Sequence, residues 1–174
     1  TALRSLDTRE RTRWREYVFS PFFNKHQLLR QLAELLLAHA PDFPETMPGK
    51  PEVYAELYAL EESYDERKLN NLLSDLYELL LGYLAYTHYE SEPLEQQIQA
   101  ANALLDRNLD AHAAGALNKC RLLLERRPGQ TARRQFYELR CWEAAEILDS
   151  RQGRRVAGEQ LARDIVDRVE SLIL

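Results

Sequence analysis

Apolar residues recur along this chain at intervals of three and four. The clearest run is Asp65–Tyr86, where Leu69, Leu72, Leu73, Leu76, Leu79, Leu80, Tyr83 and Leu84 fall on one side of a helix. The same rhythm returns in nearly every other segment, and no strand-like alternation competes with it. The pattern predicts an all-α fold of about seven or eight helices. A compact N-terminal helical unit is expected over 1–90. Stacked antiparallel hairpins, solenoid-like in character, are expected over 91–174, the whole forming a single helical domain.

Capping residues and breakers divide the pattern into elements. Asp7 can cap a first helix, with Glu10 completing a capping box, and Trp14, Tyr17 and Val18 follow at helical spacing. Ser20-Pro21 ends it, because proline disfavours helix in the residue before it. Asn24 then reads as the next N-cap with Gln27 at N3, and Phe22 and Phe23 as a staple ahead of it. A second helix follows to about Ala40, burying Leu28, Leu29, Leu32, Leu36 and Leu35. Four prolines in 41–51 forbid helix and predict an ordered surface loop.

Pro51 fits the first turn of a third helix with Val53, Tyr54, Leu57, Tyr58 and Leu60. Ser63-Tyr64-Asp65 starts a long fourth helix, with Leu76, Leu79, Leu80 and Tyr83 expected at the centre of the core. A fifth helix starts at Pro93, capped by Ser91 or Glu92, and buries Leu94, Ile98, Ala101 and Leu105. The sixth covers about Asp110–Arg127 with Leu117, Cys120 and Leu124. Thr131 caps a seventh, carrying Phe136, Leu139, Ala144 and Leu148, with Trp142 off-register, and Gly153 breaks it. A last helix is expected over about Arg155–Leu174. Leu105-Asp106 and Ala114-Gly115 recur 43 positions later as Leu148-Asp149 and Ala157-Gly158, a weak echo of a two-helix repeat.

Composition adds bounds. The chain has 174 residues, 45% apolar, enough to build a core, and a formal charge of −5. The charge is unevenly placed: 41–100 is acidic, while Arg126-Arg127, Arg133-Arg134 and Arg154-Arg155 arrive in pairs after it. The plain reading is that the two regions complement each other or face water. Cys120 and Cys141 lack metal spacing and read as small hydrophobes. No apolar run approaches the length of a membrane span, no signal peptide is evident, and a cytoplasmic location is expected.

Two stretches carry a resemblance. RSLDTRERTRWREYVFSPFFNKHQLLRQL and YDERKLNNLLSDLYELLLGYLAY resemble the N-terminal part of an uncharacterised bacterial family of long, all-helical proteins. The SPFFN turn (Ser20–Asn24), the Tyr64-Asp65 entry and the SDLYEL helix (Ser74–Leu79) carry it, and it spans roughly 1–90. The resemblance implies helical, solenoid-like architecture and brings no activity and no catalytic residues.

Chemistry is sparse. Nucleotide, zincin, serine-hydrolase and calcium-loop motifs are missing. His26, His39, His88 and His112 lie far apart, and Glu61, Glu62, Asp65 and Glu66 suit a helix start rather than a cation. No cofactor, metal or catalytic residue is expected. Tyr54, Tyr58 and Tyr64 sit where a core edge or a partner groove would use them. The pairs Arg126-Arg127 and Arg133-Arg134 lie near helix turns and raise phosphate binding, against which interleaved glutamates count. The expected function is a non-enzymatic scaffold or adaptor for a protein partner, with nucleic-acid binding through the arginine-rich turns as the alternative. The apolar run at Ser171–Leu174 leads us to expect an N-terminal piece of a longer protein, its last helix pairing with a second copy.

Overall fold

A computed structural model describes residues 2–58, 63–126, 129, 131–153, 167 and 170. Those residues form a short 3-10 helix, Ala2–Ser5, and seven α-helices with no strand: α1 (Thr8–Phe19), α2 (Gln27–Ala38), α3 (Lys50–Tyr58), α4 (Glu66–Glu90), α5 (Pro93–Leu105), α6 (Asp110–Glu125) and α7 (Ala132–Arg151). The all-α fold is thus as the periodicity predicts. The chain divides into two compact units, Thr1–Thr87 and His88–Leu174. Of the last expected helix only Asp167 and Glu170 are described, both helical; Arg154, Arg155 and the apolar end expected to pair lie outside the described residues, as do Leu60, Glu61 and Glu62.

In the first unit, α1 starts with the expected capping box. The Asp7 carboxylate accepts the Glu10 amide at 2.8 Å, and the Glu10 carboxylate accepts the Asp7 amide at 2.8 Å. Trp14 and Val18, one turn apart, are fully buried. The helix stops at Phe19, where the Ser20 amide bonds back to the Glu16 and Tyr17 carbonyls and Pro21 follows.

Two expectations fail at the next junction. Asn24 does not cap α2. Its amide nitrogen donates to the Val18 carbonyl at 2.9 Å, and its Oδ1 accepts the His26 amide at 2.9 Å. The side chain is spent on holding a turn, so α2 begins at Gln27 behind His26, with no side-chain cap. Nor do Phe22 and Phe23 form a staple. Phe23 stacks on Tyr17 with centroids 4.0 Å apart, and Phe22 points outward, 85% exposed.

Helix α2 buries Leu29, Leu32 and Ala33, with Leu28, Leu35 and Leu36 half-buried around them. The proline-rich segment contacts the 3-10 helix. The Arg4 guanidinium donates to the Asp42 carbonyl at 3.3 Å and lies over the Phe43 ring. Helix α3 begins at Lys50, with Pro51 in its first turn. Asp65 accepts the Lys68 amide at 3.1 Å and so caps α4. Leu69, Leu72, Leu76, Leu80 and Tyr83 of α4 join one apolar cluster with residues of α1, α2 and α3. Leu79, expected at its centre, is only half-buried.

In the second unit, α5 buries Leu94, Ile98, Ala101 and Leu105, the four residues its spacing predicts. Neither Ser91 nor Glu92 caps it through a side chain; the Ser91 hydroxyl instead donates to the His88 carbonyl. The helix ends in a reversal at Asn108, whose φ of 56° is tolerated by a short amide side chain. The Leu109 amide reaches the Leu104 carbonyl at 2.9 Å and the Asn108 amide reaches Leu105 at 2.8 Å, a Schellman closure.

Two apolar clusters then define the packing. Leu94 and Ile98 meet Cys120, Leu124, Tyr137 and Cys141, while Leu105 meets Ala113, Ala144 and Leu148. The start of α5 therefore lies beside the end of α6 and the start of α7. Helix α6 is antiparallel to both neighbours, and α7 packs on α5 as well as α6. Thr131 caps α7 by accepting the Arg134 amide. Ala144 and Leu148 are buried as expected, but at the start of the helix Tyr137 and Cys141 go inward, Phe136 is exposed and Leu139 is half-buried.

Candidate functional site

The three tyrosines expected to meet a partner converge, but not as a free surface. Tyr54 is 2% exposed and belongs to the core. Tyr58 packs on it with centroids 4.4 Å apart, and the half-exposed Tyr64 meets it edge-on at 5.6 Å. The Lys68 ammonium sits 4.0 Å from the Tyr58 ring centroid, a cation–π contact that closes over the group. Most of this aromatic area is spent inside the unit.

The arginines are also engaged. Arg133 donates to Glu92 at 2.7 Å, and its guanidinium lies over the Tyr137 ring. Arg134 pairs with Glu138 at 2.9 Å, one turn along the same helix. Arg140 places one nitrogen 2.7 and 2.6 Å from the two oxygens of Glu95, and Arg151 reaches Asp110 at 3.4 Å. Arg126 is exposed at the end of α6. Arg127 lies outside the described residues. Within the second unit, Glu92, Glu95 and Asp110 thus pair with arginines of α7. Among the described residues, no three His, Cys, Asp or Glu side chains are grouped as metal ligands. No helix there is long and apolar enough to cross a membrane.

Two recesses in the first unit can receive something else: one of about 780 Å³ beside α2 and α3, lined largely by polar residues such as Lys25, Arg30 and Glu34, and an apolar groove of about 500 Å³. In the groove, Ala2, Leu3 and Arg4 of the 3-10 helix form one wall, Leu36 of α2 and Phe43 of the loop a second, and Leu73, Leu76, Tyr77 and Leu80 of α4 a third, with Trp14 of α1 beneath. Leu73, Leu76, Tyr77 and Leu80 follow one another at helical spacing, so α4 presents a continuous apolar strip to it. Among the described residues of this lining, Arg4 is the one that carries a charge. The Trp14 indole N–H, fully buried, has no acceptor among the described residues. A binding site of this size, apolar with few polar groups, suits an apolar side chain or small molecule.

Sequence reasoning missed this groove. Tyr77 beside the Leu76 and Leu80 stripe is the one visible sign, since it widens the apolar face of α4 towards solvent. Leu3, Leu36 and Phe43 join it only through the tertiary fold.

A second exposed feature is the aromatic turn. Phe22 sits edge-on to Phe23 at 5.0 Å, and Phe23 also meets Tyr86 at 5.4 Å. The turn is pinned by Asn24 and by Arg30, whose Nη2 donates to the Asn24 carbonyl at 2.8 Å.

No family model, no curated protein and no solved structure matches this chain.

Proposed function

We propose that this chain is a non-catalytic helical adaptor that holds an apolar segment of a partner protein in the groove of its first unit. The observation that carries the reading is the groove itself: a recess of about 500 Å³, walled by leucines and aromatics from four helices and one loop, with Arg4 the one cation among the described residues of its lining. A bulky apolar anchor fills such a recess and releases its water, the usual basis of an interface hot spot. Arg4 adds a requirement for a carboxylate beside that anchor, as an acidic residue or a chain end. The nucleic-acid alternative has weaker support, because Arg133, Arg134 and Arg140 already face Glu92, Glu138 and Glu95. Kinship of 1–90 with the bacterial helical family remains our proposal, resting on the Ser20–Asn24 turn and the Ser74–Leu79 helix. A reducing, cytoplasmic setting fits the two free thiols.

The test uses a photoreactive benzoylphenylalanine at position 77, where the side chain is exposed. Cross-linked proteins are identified, and each candidate is purified and titrated against the chain. Arg4→Glu and Tyr77→Asp, both at exposed positions, are expected to weaken a true partner by about tenfold or more each. Affinity unchanged by both substitutions would exclude the groove as the binding site.

A further inference from the structure

The apolar groove of the first unit discriminates by what its walls lack as well as by what they hold. Leu36, Leu73, Leu76 and Leu80 supply hydrocarbon, and the α2 and α4 backbone beneath them is engaged in the hydrogen bonds of those two helices. A peptide main chain laid against these walls would bury amides without backbone partners. A partner's side chain can enter, but its main chain cannot follow. A ligand whose only polar group stands at one end meets no such obstacle.

Arg4 supplies the counterpart for that end. It is exposed, and its Nη2 donates to the Asp42 carbonyl at 3.3 Å, which leaves further donors of the five on its guanidinium. Among the described residues of the lining, no carboxylate offsets its charge. The groove therefore favours an anionic head over a neutral or cationic one.

The wall beside Arg4 is held at a conformational cost. Phe43 has a φ of 44°, in the left-handed region that bulky residues seldom adopt, and its ring lies under the Arg4 guanidinium, 5.5 Å from carbon to centroid. Backbone strain of this kind clusters where segments hold ligands. The volume of about 500 Å³ falls within the roughly 300–1,000 Å³ of small-molecule sites.

We propose, building on the groove's role as a partner site, that it also binds a free medium-chain aliphatic carboxylate, which competes with the partner's apolar anchor. The carboxylate accepts hydrogen bonds from Arg4, and the tail lies along Leu73, Leu76 and Leu80. Leu73 to Leu80 covers about 10 Å of helix axis, the reach of an extended chain of roughly eight to ten carbons. One ligand occupies one chain. The adaptor thus releases its partner where such carboxylates are abundant.

The experiment titrates the full chain with octanoate, decanoate and dodecanoate below their micelle concentrations, by calorimetry. Fluorescence of Trp14, which lies beneath the groove, follows the same titrations in a Trp142→Phe background. Saturation at one ligand per chain is expected, with affinity rising about fourfold for each methylene until the groove is full. Decanol and decylammonium are expected to bind at least about tenfold more weakly than decanoate. Arg4→Glu should lower decanoate affinity by about tenfold or more and turn the preference towards decylammonium.

Equal affinity for decanoate and decanol would overturn the proposal. So would many ligands bound per chain, indifference to Arg4→Glu, or no change in either heat or fluorescence. If Arg4→Glu does not fold, the head-group series on the unsubstituted chain decides alone. A cross-linked partner separates this proposal from the adaptor role, because decanoate is expected to displace it. A partner bound through Arg4 and Tyr77 by a chain that ignores decanoate would sink the carboxylate site and spare the adaptor. Saturable, Arg4-dependent decanoate binding with no partner captured would spare the site and count against the adaptor.

Discussion

Tyr83, near the end of α4, donates its hydroxyl proton to the backbone carbonyl of Glu10 in the first turn of α1, at 3.0 Å. The ring is buried, and the bond joins segments 73 residues apart in sequence. It fixes where two helices cross, which apolar contacts alone leave loose. The Glu10 carbonyl also keeps its own helical partner, so removing the hydroxyl leaves no orphaned acceptor. Tyr83→Phe is expected to cost about 0.5–1.5 kcal/mol, towards the lower end, in urea denaturation.

Asn24 should cost more. It is the one buried polar residue in the described core, and it satisfies the Val18 carbonyl and the His26 amide together. Asn24→Ala abandons both and is expected to cost about 1–3 kcal/mol. Asn24→Asp keeps the acceptor for His26 but puts an oxygen against the Val18 carbonyl. Hydrogen exchange distinguishes them: the His26 amide should lose protection in Asn24→Ala and retain more of it in Asn24→Asp.

Adjacent leucines on α4 provide a contrast at constant composition. Leu80 is buried in the first unit's cluster, and Leu81 is exposed. Leu80→Ala is expected to lose about 2–5 kcal/mol, and Leu81→Ala to stay within about 0.5 kcal/mol of the parent. Urea melts followed by Trp14 fluorescence, in a Trp142→Phe background, measure both. Equal losses would mean that the helix is rotated from the face described.

The Glu95–Arg140 pair makes the second unit sensitive to acid. The Arg140 hydrogen bonds hold the Glu95 carboxyl below its ordinary value of 4.5, while partial burial opposes them and Gln99 assists. A lowered folded value means that the unfolded chain takes up the proton first. The stabilisation is therefore whole above 4.5 and is lost as the pH falls through the lower folded value. Glu95→Gln should reduce stability at pH 7 yet flatten its decline between about pH 5 and pH 3, measured by thermal melts of parent and variant.

Much of this architecture is readable from single residues because it is local. The Asp7–Glu10 box, the Thr131 cap and the four buried positions of α5 each depend on spacing within one helix. The misreadings share the opposite property. Asn24 looks like a cap because capping residues are recognised by type, whereas its true partner, the Val18 carbonyl, belongs to the previous helix. Phe136 and Tyr137 are neighbours of similar bulk, and only packing against Leu94 and Cys120 decides which turns inward. The 3-10 turn at Ala2–Ser5 is too short to show a period. The groove it helps form draws on residues from 2 to 80, so its shape exists only after folding. The arginine pairs were visible as charge, but Glu92 and Glu95, the acids that meet Arg133 and Arg140, lie 41 and 45 residues away.

Those ion pairs have a bearing on how α7 finds its place. The stripe Tyr137, Cys141, Ala144 and Leu148 repeats every three or four residues, so sliding the helix by one turn, about 5.4 Å, presents nearly the same apolar profile. Oil alone does not encode axial alignment there. Glu92 and Glu95 clasp α7 near its beginning, and Asp110 and the Leu105 carbonyl clasp Arg151 at its far end. A one-turn slip would strip all three arginines of their acceptors at once. Charges of modest value to stability thus act as a vernier, selecting one alignment from a set that the greasy stripe leaves almost degenerate.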